Sequence, residues 1–182
     1  MALTPQQLQA LYDVHKRRVY TTALHYVQQV EEAEEITQDV FVKVFQSYDQ
    51  FQHQSALSTW MVRITINLCL DHLKKRKTKK HFFTLGTKTD NEWLYHNTPD
   101  AEHPAYSLEQ KEALQKMMAA IHQLTEQQQT AFILSKLDGL PQAEVADIME
   151  LSVPAVESLV FRAKTQLQKI LAKDYPERHK KK

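Results

Sequence analysis

Apolar positions recur along this chain at steps of three and four rather than two, the spacing of helices that bury one stripe. The first run opens at Thr4-Pro5-Gln6-Gln7: Thr4 stands in the place of a cap, Pro5 fits the first helical position and Gln7 completes a capping-box spacing. Leu8, Leu11, Tyr12, Val19, Tyr26, Val27 and Val30 follow at helical intervals. Glu31, Glu32, Glu34 and Glu35 then crowd a second helix start, where the macrodipole favours acids. Behind them Ile36, Val40, Val44 and Tyr48 step by four, with Phe41 and Phe45 extending the stripe. The uncharged stretch Phe51 to Ser58 ends that element and leads into a third helix over about Ser58 to Lys77.

Periodicity is lost between residues 79 and 106, a stretch with Gly86, Pro99 and Pro104 and an acidic balance, which predicts a linker whose apolar Trp93, Leu94 and Tyr95 suit docking rather than a purely solvated tether. Helices resume at Ser107-Leu108-Glu109-Gln110 and at Thr125-Glu126-Gln127-Gln128, again with capping-box spacing. Asp138-Gly139 reads as a helix stop with the glycine left-handed. A short helix from Gln142 to Met149, a four-residue turn and a longer helix from Pro154 to about Lys173 complete the pattern, and a basic tail, 176–182, closes the chain. The expected fold is therefore all-α: two small helical domains, 1–78 and 107–175, joined by a linker over 79–106.

Composition narrows the function classes. Two glycines in 182 residues leave no glycine-rich phosphate cradle and too few left-handed turns for a sandwich or barrel. The single Cys69 excludes an intramolecular disulfide framework and a thiolate-rich zinc site, and it falls among apolar neighbours as a core residue. Nine dispersed histidines make no ligand spacing, so neither a metal, a cofactor nor catalysis is expected. With no apolar run near the ~20 residues of a membrane span, and no signal-peptide layout in MALTPQQLQA, a cytoplasmic protein without an integral membrane segment is expected.

The net charge of +1 conceals segregation. Residues 60–81 hold seven Lys or Arg against one acid, and residues 154–182 hold eight against three, while the stretches around them are acidic. Two basic blocks on helices suggest two contacts with a polyanion. In the C-terminal pair, Val145, Ala146 and Met149 precede the turn and Val156, Leu159, Val160 and Ala163 follow it, so that two short helices can cross closely. This is the grammar of a helix-turn-helix. The outward face of its second helix shows Ser158, Phe161, Arg162 and Thr165, and Lys164, Lys169 and Lys173 follow for phosphates. On the third helix Arg63, Asn67, Asp71 and Lys74 share one side, while Met61, Ile64, Leu68 and Leu73 can pack inward. Trp60 and Phe51 lie beside that polar side, and aromatics next to amides and cations suit unstacked bases.

These motifs resemble the bacterial sigma factors of RNA polymerase. EEAEEITQDVFVKVF, SYDQF and ALSTWMVRITINLCLDHLKKRK, within residues 31–77, look like their second conserved region. IHQLTEQQQTAFILSKLDGLPQAEVADIMELSVPAVESLVFRAKTQL, within 121–171, looks like the fourth. Two such regions and a short linker are the plan of the extracytoplasmic-function subfamily. The resemblance implies a subunit that binds core RNA polymerase, melts the −10 promoter element and reads the −35 element, with an anti-sigma factor as a further partner. It places Asp39, Val40, Val42, Lys43 and Phe45 on the polymerase clamp. It places Phe51, Ser58, Trp60, Arg63, Asn67 and Lys74 at the melted single-stranded −10 DNA. Glu157, Ser158, Phe161, Arg162, Lys164 and Thr165 fall on the helix that meets double-stranded −35 DNA. Glu157 and Leu159 stand where the family often has basic residues, and Pro141 replaces its usual hydroxyl cap. A stand-alone helix-turn-helix regulator with an N-terminal sensing domain is the alternative, and it predicts sequence-specific DNA binding without polymerase.

Overall fold

The computed structural model describes residues 3–52, 55–83 and 108–174. The N-terminal unit is built from α1 (Pro5–Val27), α2 (Val30–Ser47) and α3 (Leu57–Phe83), with a single 3₁₀ turn at Tyr48–Gln50. Thr4 caps α1 as its spacing predicts: the Gln7 amide donates to Thr4 Oγ1 at 3.3 Å, and the Thr4 amide donates back to Gln7 Oε1 at 2.9 Å. The helix stops where Gln28 turns left-handed, φ 60°, and its amide closes on the Leu24 carbonyl at 2.8 Å. Glu31 and Glu32 sit in the first turn of α2, whose buried side is Ala33, Ile36, Thr37, Val40, Phe41 and Val44. Phe41 meets Tyr12 edge-on at 4.8 Å between ring centres, fastening α2 to α1.

The C-terminal unit comprises α4 (Leu108–Ile121), α5 (Glu126–Phe132), α6 (Gln142–Met149) and α7 (Val153–Asp174). Thr125 and Gln128 form the second capping box, at 3.3 and 3.4 Å. Beyond Phe132 the helix widens into a π turn over Ile133–Leu137, closed by the Asp138 amide on the Ile133 carbonyl at 2.9 Å. Gly139 then takes φ +69°, a conformation that glycine adopts without cost. Val145, Ala146 and Ile148 of α6 bury against Val156, Leu159, Val160 and Ala163 of α7, the tight crossing that small and branched residues allow. Ile148, rather than the expected Met149, is the buried residue of that last turn.

Three expectations need correction. Phe45 points outward at 43% exposure while its neighbour Phe41 is buried, so the α2 stripe is narrower than the sequence suggests. On α3, Val62, Thr65 and Ile66 are buried along with Met61, Leu73 and, as expected, Cys69, whereas Ile64 and Leu68 are half-buried. The cause is two-sided packing, because α1 and α2 cover one side of α3 and α6 covers another. Helix α3 also continues to Phe83, past the Lys77 at which periodicity placed its end. The remainder of the expected linker, with Trp93, Leu94 and Tyr95, the Ser107 cap and the 176–182 tail lie outside the described residues.

The buried apolar residues of the two units form one cluster, and a seam of polar contacts crosses between them. Tyr26 Oη, fully buried on α1, donates to Thr130 Oγ1 of α5 at 2.9 Å. Thr22 Oγ1 donates to Asp138 Oδ2 at 2.7 Å, and His25 Nδ1 lies 2.6 Å from Asp138 Oδ1. Arg18 pairs with Glu144 at 2.5 Å, and the Gln28 side-chain amide donates to the Met118 carbonyl at 3.4 Å.

Candidate nucleic-acid interface

Helix α7 presents the first face. Burial of Val156, Leu159, Val160 and Ala163 against α6 fixes its rotation, which leaves Glu157, Ser158, Phe161, Arg162 and Lys164 exposed and Thr165 half-exposed. Phe161 is 71% exposed, an unusual position for a phenylalanine unless a partner covers it. The Arg162 guanidinium donates to Ser158 Oγ at 2.9 Å and to the Ser158 carbonyl at 3.3 Å, so its fork is held over one turn of the helix. Thr165 Oγ1 donates to the Phe161 carbonyl at 3.0 Å. An ordered guanidinium, a hydroxyl and an exposed ring on one helix of a helix-turn-helix can meet base edges and a thymine methyl. Glu157 is on the flank of this face. At the cap of α6, Pro141 offers no side-chain bond, as its missing hydroxyl dictates.

Phe51, Ser58, Trp60, Arg63, Asn67 and Lys74 make the second face, on α3 and the segment before it. The Phe51 and Trp60 rings lie 5.1 Å apart at 32°, and Tyr48 extends the row at 6.2 Å from Phe51. Both Phe51 and Trp60 are half-buried, as is Ser58. Arg63 does not project into solvent. Its Nε donates to the Ile148 carbonyl at 3.1 Å, a terminal nitrogen donates to the Asp147 carbonyl, and Nη1 pairs with Glu150 at 2.9 Å. The arginine thus sits on the C-terminal end of α6, where the helix dipole favours a cation. Lys74 pairs with Glu126 at 3.3 Å, and exposed Asn67 lines a cleft of about 320 Å³ between α3 and the C-terminal unit.

The third face is the outer side of α2. Asp39, Val42, Lys43 and Phe45 are exposed there, with Val42 at 53%. Val40 is fully buried and cannot touch a partner of the folded unit; it supports this face from beneath. Sequence reasoning missed the seam residues Arg18, Thr22, His25, Tyr26, Thr130, Asp138 and Glu144. Arg18, Thr22 and Tyr26 recur every four residues on α1, a polar line on an otherwise amphipathic helix, and that line was the available signal. Burial among apolar groups pushes both the Tyr26 phenol and the Cys69 thiol far above their ordinary ranges. Neither is a nucleophile at neutral pH.

A chain helical throughout its described residues, with an exposed, cationic second helix of a helix-turn-helix and an aromatic–amide–cation face on α3, has the features of a nucleic-acid-binding protein. Residues 11–79 match the family Sigma-70 region 2, and residues 114–167 match Sigma-70, region 4. The RNA polymerase sigma-H factor of Pseudomonas aeruginosa is 28% identical over 159 residues, which cover 86% of this chain and 82% of that protein. The ECF RNA polymerase sigma factor SigW of Bacillus subtilis is 25% identical over 162 residues, covering 88% and 87%. In fold, the chain is similar to the sigma factor RpoE solved in complex with the anti-sigma factor NepR from Bartonella quintana, with a TM-score of 0.64, 24% identity and coverage of 91% and 97%. It is similar also to CnrH, solved in complex with the cytosolic domain of CnrY, with a TM-score of 0.63, 19% identity and coverage of 94% and 91%. The chain belongs to the sigma-70 family, as an RNA polymerase sigma factor of the extracytoplasmic-function type. Such proteins are transcription initiation factors rather than enzymes, and they bind core RNA polymerase and promoter DNA.

Proposed function

We propose that this sigma factor divides its work among the three faces. The outer side of α2, with Asp39, Val42, Lys43 and Phe45, docks on a helical element of core polymerase, a helix-on-helix contact with an apolar centre and charged flanks. Helix α7 enters the major groove of the −35 element, where Ser158, Phe161 and Arg162 meet base edges and Lys164 and Thr165 contact the backbone. Phe51, Ser58, Trp60, Arg63, Asn67 and Lys74 take up the melted −10 strand, through stacking on Trp60 and Phe51 and hydrogen bonds from Asn67. Residues 1–78 and 107–175 are the corresponding domains, with 79–106 as the tether. The work takes place in the cytoplasm, where the polymerase is. Among the described residues no helix is long and apolar enough to cross a membrane. An anti-sigma factor is a partner on this reading, as NepR is for the solved RpoE.

The observation that carries this reading is the exposed face of α7, in which an apolar ring and an ordered guanidinium project from a helix fixed by its packing on α6. Run-off transcription with purified core polymerase on a genomic promoter pool tests it. Discrete transcripts that need both the chain and core enzyme are expected. Tight sequence-specific binding of the chain alone, with no transcript when core is added, would favour the stand-alone regulator instead.

A further inference from the structure

Arginines in this fold are held in two ways. Arg18, Arg63 and Arg76 each meet a carboxylate, that of Glu144, Glu150 and Glu32 in turn. Arg162 of α7 is held instead by two neutral oxygens of one residue: its Nε donates to the Ser158 carbonyl at 3.3 Å, and its Nη2 donates to Ser158 Oγ at 2.9 Å. Neutral acceptors leave the full positive charge of the guanidinium for a ligand. Nε and Nη2 share one edge of that planar group, so Ser158 takes this edge whole. The Nη1–Nη2 edge is left, with two parallel N–H donors. Guanine presents O6 and N7 side by side in the major groove, a pair of acceptors that matches such an edge. Ser158 and Arg162 are both exposed and stand one helical turn apart, on the face that the packing of α7 on α6 leaves outward.

We propose that Ser158 is a positioning residue of the −35 site: it holds the guanidinium of Arg162 so that the Nη1–Nη2 edge reads a guanine, and its share in sequence preference is exercised through Arg162. This deepens the assignment of α7 to the −35 element made above and rests on it. An exposed arginine carries much rotamer freedom, which binding to a base would cost; the bonds to Ser158 give part of it up before DNA arrives. They also decide what kind of contact the side chain makes. A loose guanidinium can swing to a phosphate and grip any sequence alike, whereas one with its Nε–Nη2 edge already occupied keeps a single edge for a base. Loss of the Ser158 hydroxyl therefore leaves the charge that attracts DNA and removes preference at one base pair.

The test uses holoenzyme assembled from core polymerase and the full chain, on single-base variants of the −35 element of one promoter recovered in the run-off experiment. Transcript yields give the preference at each base pair. Arg162→Ala should relax preference at one guanine-bearing base pair by about tenfold or more. Ser158→Ala should relax that same base pair by about two- to tenfold, the worth of one neutral hydrogen bond, with the other positions and the dependence on salt unchanged. Ser158→Thr, which keeps the hydroxyl, should restore the preference. Ser158→Ala combined with Arg162→Ala should relax the base pair no further than Arg162→Ala alone, since no guanidinium is left to position. Relaxation by Ser158→Ala at a different base pair, an effect that adds to that of Arg162→Ala, or a preference unchanged at every position overturns the positioning role. So does an equal fall in yield at all sequences with Ser158→Ala, the mark of a structural serine. Arg162→Ala by itself tests the assignment beneath: a loss equal at every −35 sequence overturns base reading by Arg162, whatever Ser158 does. The two failures are thus told apart by the single arginine variant.

Discussion

Tyr26 and Thr130 offer the most direct measure of whether the two units share one folded structure. The phenol is fully buried, its partner hydroxyl nearly so, and they are 104 residues apart in sequence with 2.9 Å between their oxygens. Thr130→Val keeps the volume of the side chain and leaves the Tyr26 hydroxyl buried without an acceptor, a loss of about 1–3 kcal/mol. Tyr26→Phe removes the donor, while the Thr130 hydroxyl keeps its own helix carbonyls within reach, so its cost is closer to 1 kcal/mol. The double variant replaces two polar partners by two apolar ones of similar shape, which is close to neutral once the pair is removed together. Urea unfolding of the four proteins should thus give a double variant more stable than the sum of the single losses predicts, by about 1–2 kcal/mol. With a slope of about 1–3 kcal/mol per molar urea, a 2 kcal/mol loss moves the midpoint by about 1 M, well above experimental scatter. Two single effects that add to within about 0.3 kcal/mol would mean that the hydroxyls do not meet in solution, and the seam described above would have to be abandoned.

The other expectations concern pH, the core and the two outward faces. Because Tyr26 and Cys69 have folded pKa values raised above ordinary values of 10.0 and 9.0, their contribution to stability is complete below about pH 9 and is lost as pH rises past those values; Cys69→Ala should delay the onset of the alkaline loss followed by circular dichroism. Ile36→Ala should cost about 2–5 kcal/mol in urea unfolding, whereas Phe45→Ala should leave the midpoint nearly unchanged and weaken the pull-down of core polymerase. Arg162→Ala should weaken −35 duplex binding by about 1–3 kcal/mol, with relaxed preference at one base pair if the guanidinium reads a guanine, in a binding titration against single-base variants. Glu157→Arg should raise affinity for most −35 sequences and steepen the dependence on salt; an unaltered salt slope would confine Glu157 to a role in the helix start.

Features set by neighbouring residues were legible in the sequence. Thr4 with Gln7, and Thr125 with Gln128, predict capping boxes because the donors and acceptors are three residues apart and need nothing else. Gly139 predicts its own left-handed turn, and Ala146 predicts the close crossing of α6 and α7. What was not legible depends on which unit lies against which. Val62 and Ile66 look no more buried than Ile64 and Leu68 from spacing alone, because periodicity describes one apolar stripe and α3 has neighbours on more than one side. Val40 and Val42 differ by two positions and have opposite fates, a distinction that the four-residue step through Ile36, Val40 and Val44 already contained. Arg63 illustrates the limit most clearly. Its charge and position mark it as a ligand for an anion, but nothing local could say that the chain itself supplies carbonyls and the Glu150 carboxylate.

The π turn at Ile133–Leu137 has a geometric consequence of its own. A residue inserted into an α-helix rotates everything after it by about 100°, since one turn takes 3.6 residues. The widened turn absorbs such an extra residue without breaking the helix, and the angular offset it leaves is what aims Asp138 at Thr22 and His25 rather than along the side of α5. The alignment between the two halves of the molecule is therefore indexed by the length of one turn. Loss of a single residue there would leave Asp138 and Glu144 present but out of phase with Thr22, His25 and Arg18, while Thr130 and Met118, which precede the turn, kept their places, as a key cut correctly but turned halfway along its length.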